Sequence, residues 1–364
     1  MYNNSNIIEK SDRFNYTVSM SEDGLYKYFE SPKANYRFNT RTGSMLSWGE
    51  SYNEDPSPFP APNILDLEVT TSCNHHCPFC YKSNNKNGKN MTFETFKKIF
   101  DILPKSITQI AFGADYDLTS NPDIFRMMEY AKENNVIPNV TVGYLDEEKM
   151  DRISHLCGAV AVSRYESKDA CYDTIKGLID RGMTQVNMHY MISEETYDRA
   201  LETLEDIKSD ERLERLNAIV FLSLKKKGRG VGFHTLSQEK FNNLVKIAKE
   251  NNISLGFDSC SSLKAYRAFS DTPEVRKYII PCEAGIESSY INVDGEYYPC
   301  SFCEGEISDN LDWRTGIPVT DCVDSDDFLT KVWFNQKTGL FKSVITHSCN
   351  YNDEHCRSCP MFEV

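Results

Sequence analysis

From residue 64 onward, short β-branched apolar runs alternate with stretches whose apolar residues recur at helical spacing, the pattern of a parallel α/β domain. The strand segments fall at 64–70, 108–113, 136–142, 158–163, 185–192, 218–224 and 253–257. Between them, Phe93, Phe96, Phe100 and Leu103 share one helical face, as do Ile124, Met127, Met128 and Ala131 behind Asn121-Pro122. Cys171, Ile175 and Leu178 make a third such face, and Phe241, Leu244 and Ala248 a fourth behind Ser237. About six strand-helix units emerge, closing near residue 258.

Residues 1–60 are polar and aromatic, with turn signals at Asp23-Gly24 and Thr42-Gly43 and a proline-rich exit at Pro56, Pro58, Pro60 and Pro62. They read as a hairpin-like extension and a linker. Residues 259–364 are cysteine-rich and turn-rich with weak periodicity, which marks a further domain after the α/β domain of 61–258.

The chain has 364 residues, enough for a buried core and about two domains. No apolar run reaches the roughly 18 residues of a membrane helix, and the first residues lack the basic start and apolar stretch of a secretion signal. The expectation is a cytoplasmic protein with no membrane partner. A formal net charge of −14 argues against a broad nucleic-acid surface. The local basic run Lys225, Lys226, Lys227 and Arg229 reads as a solvated loop.

Thirteen cysteines make an odd total, and a chain this long needs no disulfide framework to fold. Cys73, Cys77 and Cys80 stand together, while Cys282, Cys300, Cys303, Cys322, Cys349, Cys356 and Cys359 crowd the last quarter. Two groups imply two sites. Cys157 and Cys171 read as core, and Cys260, after the last strand of the α/β domain, is left open.

The first group lies in the loop leaving the first strand of that domain, Thr70-Thr-Ser-Cys73-Asn-His-His-Cys77-Pro-Phe-Cys80-Tyr81. Three thiolates at CxxxCxxC spacing leave one coordination position open, which suits a four-iron cluster with a free iron better than a structural zinc with four protein ligands. A zinc knuckle completed by His75 or His76 is the competing reading, although both histidines lie inside the cysteine spacing. This motif, with Phe79 just before its third cysteine at the end of strand one, resembles the radical S-adenosylmethionine (SAM) enzymes, over about residues 60–258. The resemblance implies a partial (β/α)6 barrel with a [4Fe-4S] cluster on Cys73, Cys77 and Cys80 that binds SAM at its free iron. It implies reductive cleavage to a 5′-deoxyadenosyl radical, with Phe79 at the adenine.

After strand two the family carries a Gly-Gly-Glu-type motif for the SAM amino group, whereas this chain has Ala111-Phe-Gly113-Ala-Asp115-Tyr-Asp117 before Asn121-Pro-Asp123. The resemblance places the carboxylate on Asp117 by its spacing to Asn121, with Gly113 and Asp115 as alternatives. At the end of strand four, Ser163 matches the family's serine facing the ribose or carboxylate, and Arg164 is a candidate to neutralise the carboxylate.

In the second group, Cys282 is followed by twelve residues, Gly295, four residues and Cys300, with Cys356-Arg-Ser-Cys359 near the end. The Asp294-Gly295 turn predicts a β-hairpin that brings Cys282 and Cys300 together. This resembles the auxiliary-cluster extension of the SPASM and twitch radical enzymes. It implies one auxiliary [4Fe-4S] cluster on Cys282, Cys300, Cys356 and Cys359, with a second, irregular site on Cys303, Cys322 and Cys349 left open, and zinc as the structural alternative.

The resemblance thus implies an oxidoreductase that abstracts hydrogen from a substrate, with a low-potential donor such as flavodoxin or ferredoxin as electron source. Peptide or protein side-chain modification of the maturase type is the leading substrate class, and small-molecule oxidation or rearrangement is the alternative. The first 60 residues are too short and strand-like for the winged-helix recognition domain that many peptide maturases carry. A non-catalytic zinc protein is the alternative of another class. No catalytic acid or base is legible.

Overall fold

The structure, a computed structural model, describes residues 5–347, apart from 166, 309 and 310, together with 359–362. Its centre is a run of parallel strands, β6 (Ile64–Glu68), β7 (Gln109–Gly113), β8 (Ile137–Val142), β9 (Ala159–Ser163), β10 (Val186–Ile192), β11 (Ala218–Ser223) and β12 (Leu255–Phe257), neighbours in sequence being neighbours in the sheet. Helices α1 (Phe93–Ile102), α2 (Ile124–Glu133), α3 (Glu147–Leu156), α4 (Lys168–Asp180), α5 (Tyr197–Ser209) and α6 (Gln238–Glu250) connect them in turn, the expected partial barrel. Most of these helices start for a local reason. Thr92, Asp146, Ser167 and Ser237 accept the backbone N–H three residues on, capping α1, α3, α4 and α6. Asn121 accepts from Asp123 N at the start of α2 and donates to Val69 O and Met91 O, tying that helix to the end of β6.

The two faces of the sheet are built differently. On the outer face Leu65, Leu67, Ile110, Phe112, Val140, Val160, Val162, Met188, Ile219 and Phe221 are buried against the helices. On the inner face the same strands present Asp66, Ala111, Gly113, Thr141, Ser163, His189 and Leu222 to a cavity. Small and polar residues leave room there, where a packed barrel would carry branched apolar side chains. Burial pushes the Asp66 carboxyl up to about 6 and the His189 imidazole down to about 4.

The N-terminal segment is larger than a single hairpin. Strands β1 (Ser5–Ser11), β2 (Tyr16–Ser21), β3 (Tyr26–Glu30), β4 (Asn35–Asn39) and β5 (Met45–Trp48) form an antiparallel meander. It docks against the loop before β7, where Lys27 Nζ donates to Ile107 O at 2.7 Å and Tyr36 Oη donates to Ser106 O. That is the end of the barrel opposite the cysteine loop.

The C-terminal segment joins the same sheet. β13 (Ser288–Ile291) pairs in parallel with β6 and antiparallel with β14 (Glu296–Tyr298), the hairpin predicted around Gly295. A short ribbon of β15 (Glu306–Ser308) and β16 (Leu311–Trp313) follows, then β17 (Ile317–Pro318) against β14, and the helix Gln336–His347, whose Phe341 packs on Trp313. Among the described residues no helix is long and apolar enough to cross a membrane.

A buried ion network fastens this hairpin to the barrel. Lys82 Nζ lies 2.9 Å from Glu68 Oε1, also pairs with Glu304, and donates to Tyr290 Oη at 2.8 Å. Glu304 accepts from Asn292 as well, and Glu68 accepts from Val293 N. One ammonium cannot offset two carboxylates equally: burial pushes Glu68 up, whereas for Glu304 burial is outweighed by Lys82 together with the hydrogen bonds from Asn292 and Tyr290, and the carboxyl is pulled down. Lys82→Ala strands two carboxylates in the interior and should destabilise the chain by about 3–5 kcal/mol in urea titrations. Lys97→Ala, which removes an exposed partner of Asp101, should leave the midpoint in place; equal effects of the two would contradict the network's role.

Candidate active site

The inner face of the barrel opens into a cavity of about 440 Å³, of the size that holds a small-molecule ligand. Its walls are the C-terminal ends of the strands and the loops beyond them, where sites form in parallel α/β folds. Cys73, Cys77 and Cys80 all line it, because the loop leaving β6 folds back over the strand ends. That loop is pinned by Cys73 N donating to Asn85 O at 3.0 Å and by an isolated bridge between Thr70 and Asn90.

The donor set fits an iron-sulfur cluster. Burial, reinforced by the Cys80 and Cys73 thiols, pushes Cys77 up to about 12, so a thiolate at Cys77 calls for a strongly cationic partner. Among the described residues no three His, Cys, Asp or Glu side chains are grouped to hold a single metal ion. A four-iron cluster takes three thiolates and keeps one iron open, whereas a structural zinc wants four protein ligands. His75, the alternative zinc ligand, instead stacks on Tyr116 with ring centroids 4.0 Å apart, and His76 is exposed.

Above the cysteines lies an aromatic layer. Phe79 sits 5.7 Å from Tyr165, which is 5.9 Å from Tyr116. Tyr116 can lie there only because residue 143 is glycine; a Cβ at Gly143 would fall 1.8 Å from the Tyr116 ring.

Phe79, Gly113 and Ser163 line the cavity with the cysteines, but Asp117 and Arg164 do not. Asp117 sits in the turn after β7, where its carboxylate accepts from Thr119 Oγ1 at 2.7 Å. Asp115 takes the cavity wall instead. Its Oδ2 accepts from Thr119 N, Ser120 N and both hydroxyls, while its buried Oδ1 has no hydrogen-bond partner among the described residues. Burial, together with the neighbouring Asp117, pushes the Asp115 carboxyl up. Arg164 turns outward over the Tyr172 ring of α4, and Tyr165 occupies the wall position expected for it. Alternation carried past β9 explains the second case: with Ser163 facing the cavity, Arg164 faces away and Tyr165 faces in, whereas Asp115 and Asp117 share parity and only the turn after β7 separates them.

The basic run after β11 is not a solvated loop. Only Lys226 is exposed, while Lys225, Lys227 and Arg229 point inward in turn. Lys225 Nζ lies 2.5 Å from Asp258 Oδ2 and also bonds Cys260. Lys227 donates to Phe302 O at 3.0 Å and pairs with Glu306, and Arg229 grips the cysteine loop. The i, i+2, i+4 spacing of these cations at a strand end was the legible signal.

Beside the cavity lies the second thiol group. Cys282 and Cys300 flank the β13–β14 hairpin, and Cys300 Sγ is 3.4 Å from Cys303 Sγ. Burial pushes Cys282 up to about 12 and raises Cys359, and each thiol is raised further by that of Cys300. Cys260, held above its ordinary range by burial, feels Cys282 and Cys300 as well. Cys322 lies elsewhere, beside Asp327, and Cys349 and Cys356 fall outside the described residues. Cys157 and Cys171 are buried in the core as expected, and every described cysteine is free of disulfide.

A curated relative, an uncharacterized protein of Methanocaldococcus jannaschii, is 29% identical over 134 residues, covering 31% of this chain and 46% of the relative. The chain thus spans about half the length of that relative. Among solved structures, Streptococcus suis SuiB bound to S-adenosylmethionine superimposes with a TM-score of 0.62 at 12% identity, covering 82% of this chain and 73% of SuiB. SuiB bound to its precursor peptide SuiA gives 0.61 at 12% identity, over 83% and 76%. That likeness is one of fold. The family model of the radical SAM superfamily matches residues 67–248, half of this chain, from β6 with its cysteine loop through α6, and the chain belongs to that superfamily, whose members work with a [4Fe-4S] cluster and SAM.

Proposed function

We propose that this chain is a radical SAM enzyme that takes a hydrogen atom from a peptide or protein side chain. The observation that carries the reading is that three cysteines and an unpartnered buried carboxylate oxygen, Asp115 Oδ1, line one cavity at the strand ends. When bound, the cluster supplies the electron that splits SAM into methionine and a 5′-deoxyadenosyl radical, which takes the hydrogen atom.

Cys73, Cys77 and Cys80 would hold the cluster and leave one iron open for SAM. Asp115 would receive the methionine ammonium, in place of the carboxylate expected at Asp117, because a buried acceptor with a free lone pair suits a cationic donor. Gly113 gives the backbone room beside it; a Cβ there would lie 3.3 Å from Glu68 Cα. Phe79 would face the adenine, and Ser163 would bond the ribose or carboxylate. The aromatic layer of His75, Tyr116 and Tyr165 would exclude water from the reacting atoms.

Cys282, Cys300 and Cys359, with Cys356, would hold one auxiliary cluster, which would supply an acceptor for the electron that the substrate radical gives up in a net oxidation. A flavodoxin- or ferredoxin-type protein would supply the low-potential electron. The likeness to SuiB, spanning most of both chains, favours a peptide substrate over a small molecule.

Two experiments test this. Anaerobically reconstituted protein should carry about eight irons, falling to about four in either Cys73/Cys77/Cys80→Ala or Cys282/Cys300→Ala protein. Only the first of these should lose 5′-deoxyadenosine formation from SAM and reductant. Retained cleavage in the first, or an unchanged iron count in the second, would overturn the corresponding assignment. In equilibrium dialysis with SAM, Asp115→Asn should weaken binding at least tenfold, as for a charge-assisted hydrogen bond of about 1.5–3 kcal/mol. Asp117→Asn should stay within about twofold, and the reverse order would restore Asp117 to the site.

A further inference from the structure

The strap after β11 ends in a cation, Arg229, for which the described residues supply no counter-ion. Arg229 N donates to Cys80 O at 3.0 Å, its Nε to Cys77 O at 2.8 Å and its Nη1 to Asn84 O at 3.1 Å. All three acceptors are neutral carbonyls. Among the described residues no carboxylate pairs with Arg229, and its Nη2 is sealed from solvent with no partner. The approach is tight: Gly228 takes a left-handed φ of +55°, and a Cβ there would fall 2.4 Å from Tyr81 O.

A guanidinium is always charged, and leaving it buried beside neutral groups alone is costly. Among the described residues its hydrogen-bond partners are all on the cysteine loop, whose sulfurs would be the nearest anionic groups once they ligate a cluster. We propose that Arg229 is the positioning residue of the cysteine loop, and that its unpaired charge, set against the sulfur ligands, raises the reduction potential of the cluster held there. The proposal rests on the assignment of Cys73, Cys77 and Cys80 as cluster ligands. Reduction adds a negative charge to an already anionic site, so a nearby fixed cation favours the reduced form, and removing it lowers the potential.

The test is a mediated redox titration of the reconstituted full chain, following the electron paramagnetic resonance signal that SAM perturbs. Arg229→Gln should reduce the ratio of reduced to oxidised cluster about tenfold at a fixed potential, a shift of about 59 mV to the negative for one electron. Arg229→Lys, which keeps the charge but loses the fork, should retain most of the wild-type potential. Lys226→Gln, an exposed charge on the same strap, should change nothing. An unmoved potential in Arg229→Gln, or an equal shift in Lys226→Gln, would overturn the proposal. If Arg229→Gln takes up no iron, the lysine variant decides: iron at the wild-type potential supports the charge role, and loss of iron there too leaves Arg229 a folding role only and overturns it. Failure of the underlying ligand assignment looks different, because iron would then survive replacement of the three cysteines.

Discussion

A single buried ammonium, Lys82, binds together the three parts on which the site depends. It stands two residues beyond Cys80, reaches Glu68 at the end of β6, and meets Tyr290 and Glu304 of the C-terminal segment. β6 is also the strand on which β13 adds to the barrel. The cysteine loop, the first barrel strand and the hairpin flanked by Cys282 and Cys300 are therefore one electrostatic unit, in which losing one charge leaves the others unpaired in the interior. This gives a physical reason for the second thiol group to lie beside the cavity.

The barrel itself divides its labour between faces. Apolar residues on the outer face and the helices provide the burial that stabilises it, while the inner face is left small and polar. Asp66 and His189, both displaced by burial from their ordinary ranges, mark that inner face as a place where stability yields to room for a ligand. Arg229, Lys225 and Lys227 then close the wall from the far side, joining the last part of the barrel to the cysteine loop and to the C-terminal segment.

The barrel strands were legible because short β-branched runs and helical spacing repeat along the chain, and Asn121-Pro122 and Ser237 stand where helices begin. The cysteine loop was legible because its spacing carries chemistry on its own. Side-chain direction just past a strand end was not. Asp115 and Asp117 are equivalent in a linear pattern, and only the turn geometry after β7 decides which faces the cavity, whereas alternation from the inward Ser163 was enough to turn Arg164 away and Tyr165 in. The strap was misread because a run of cations is normally solvated, whereas here buried carbonyls and carboxylates are waiting for it. The N-terminal meander was underestimated because its strands are polar on one face and join through short turns.

The most direct test of the central claim is electron paramagnetic resonance on the reduced, anaerobically reconstituted full chain with and without SAM, followed by assay for 5′-deoxyadenosine. An iron-sulfur signal that SAM alters, with 5′-deoxyadenosine formed after reduction, is the predicted result. Bound zinc without iron, and no 5′-deoxyadenosine, would contradict it.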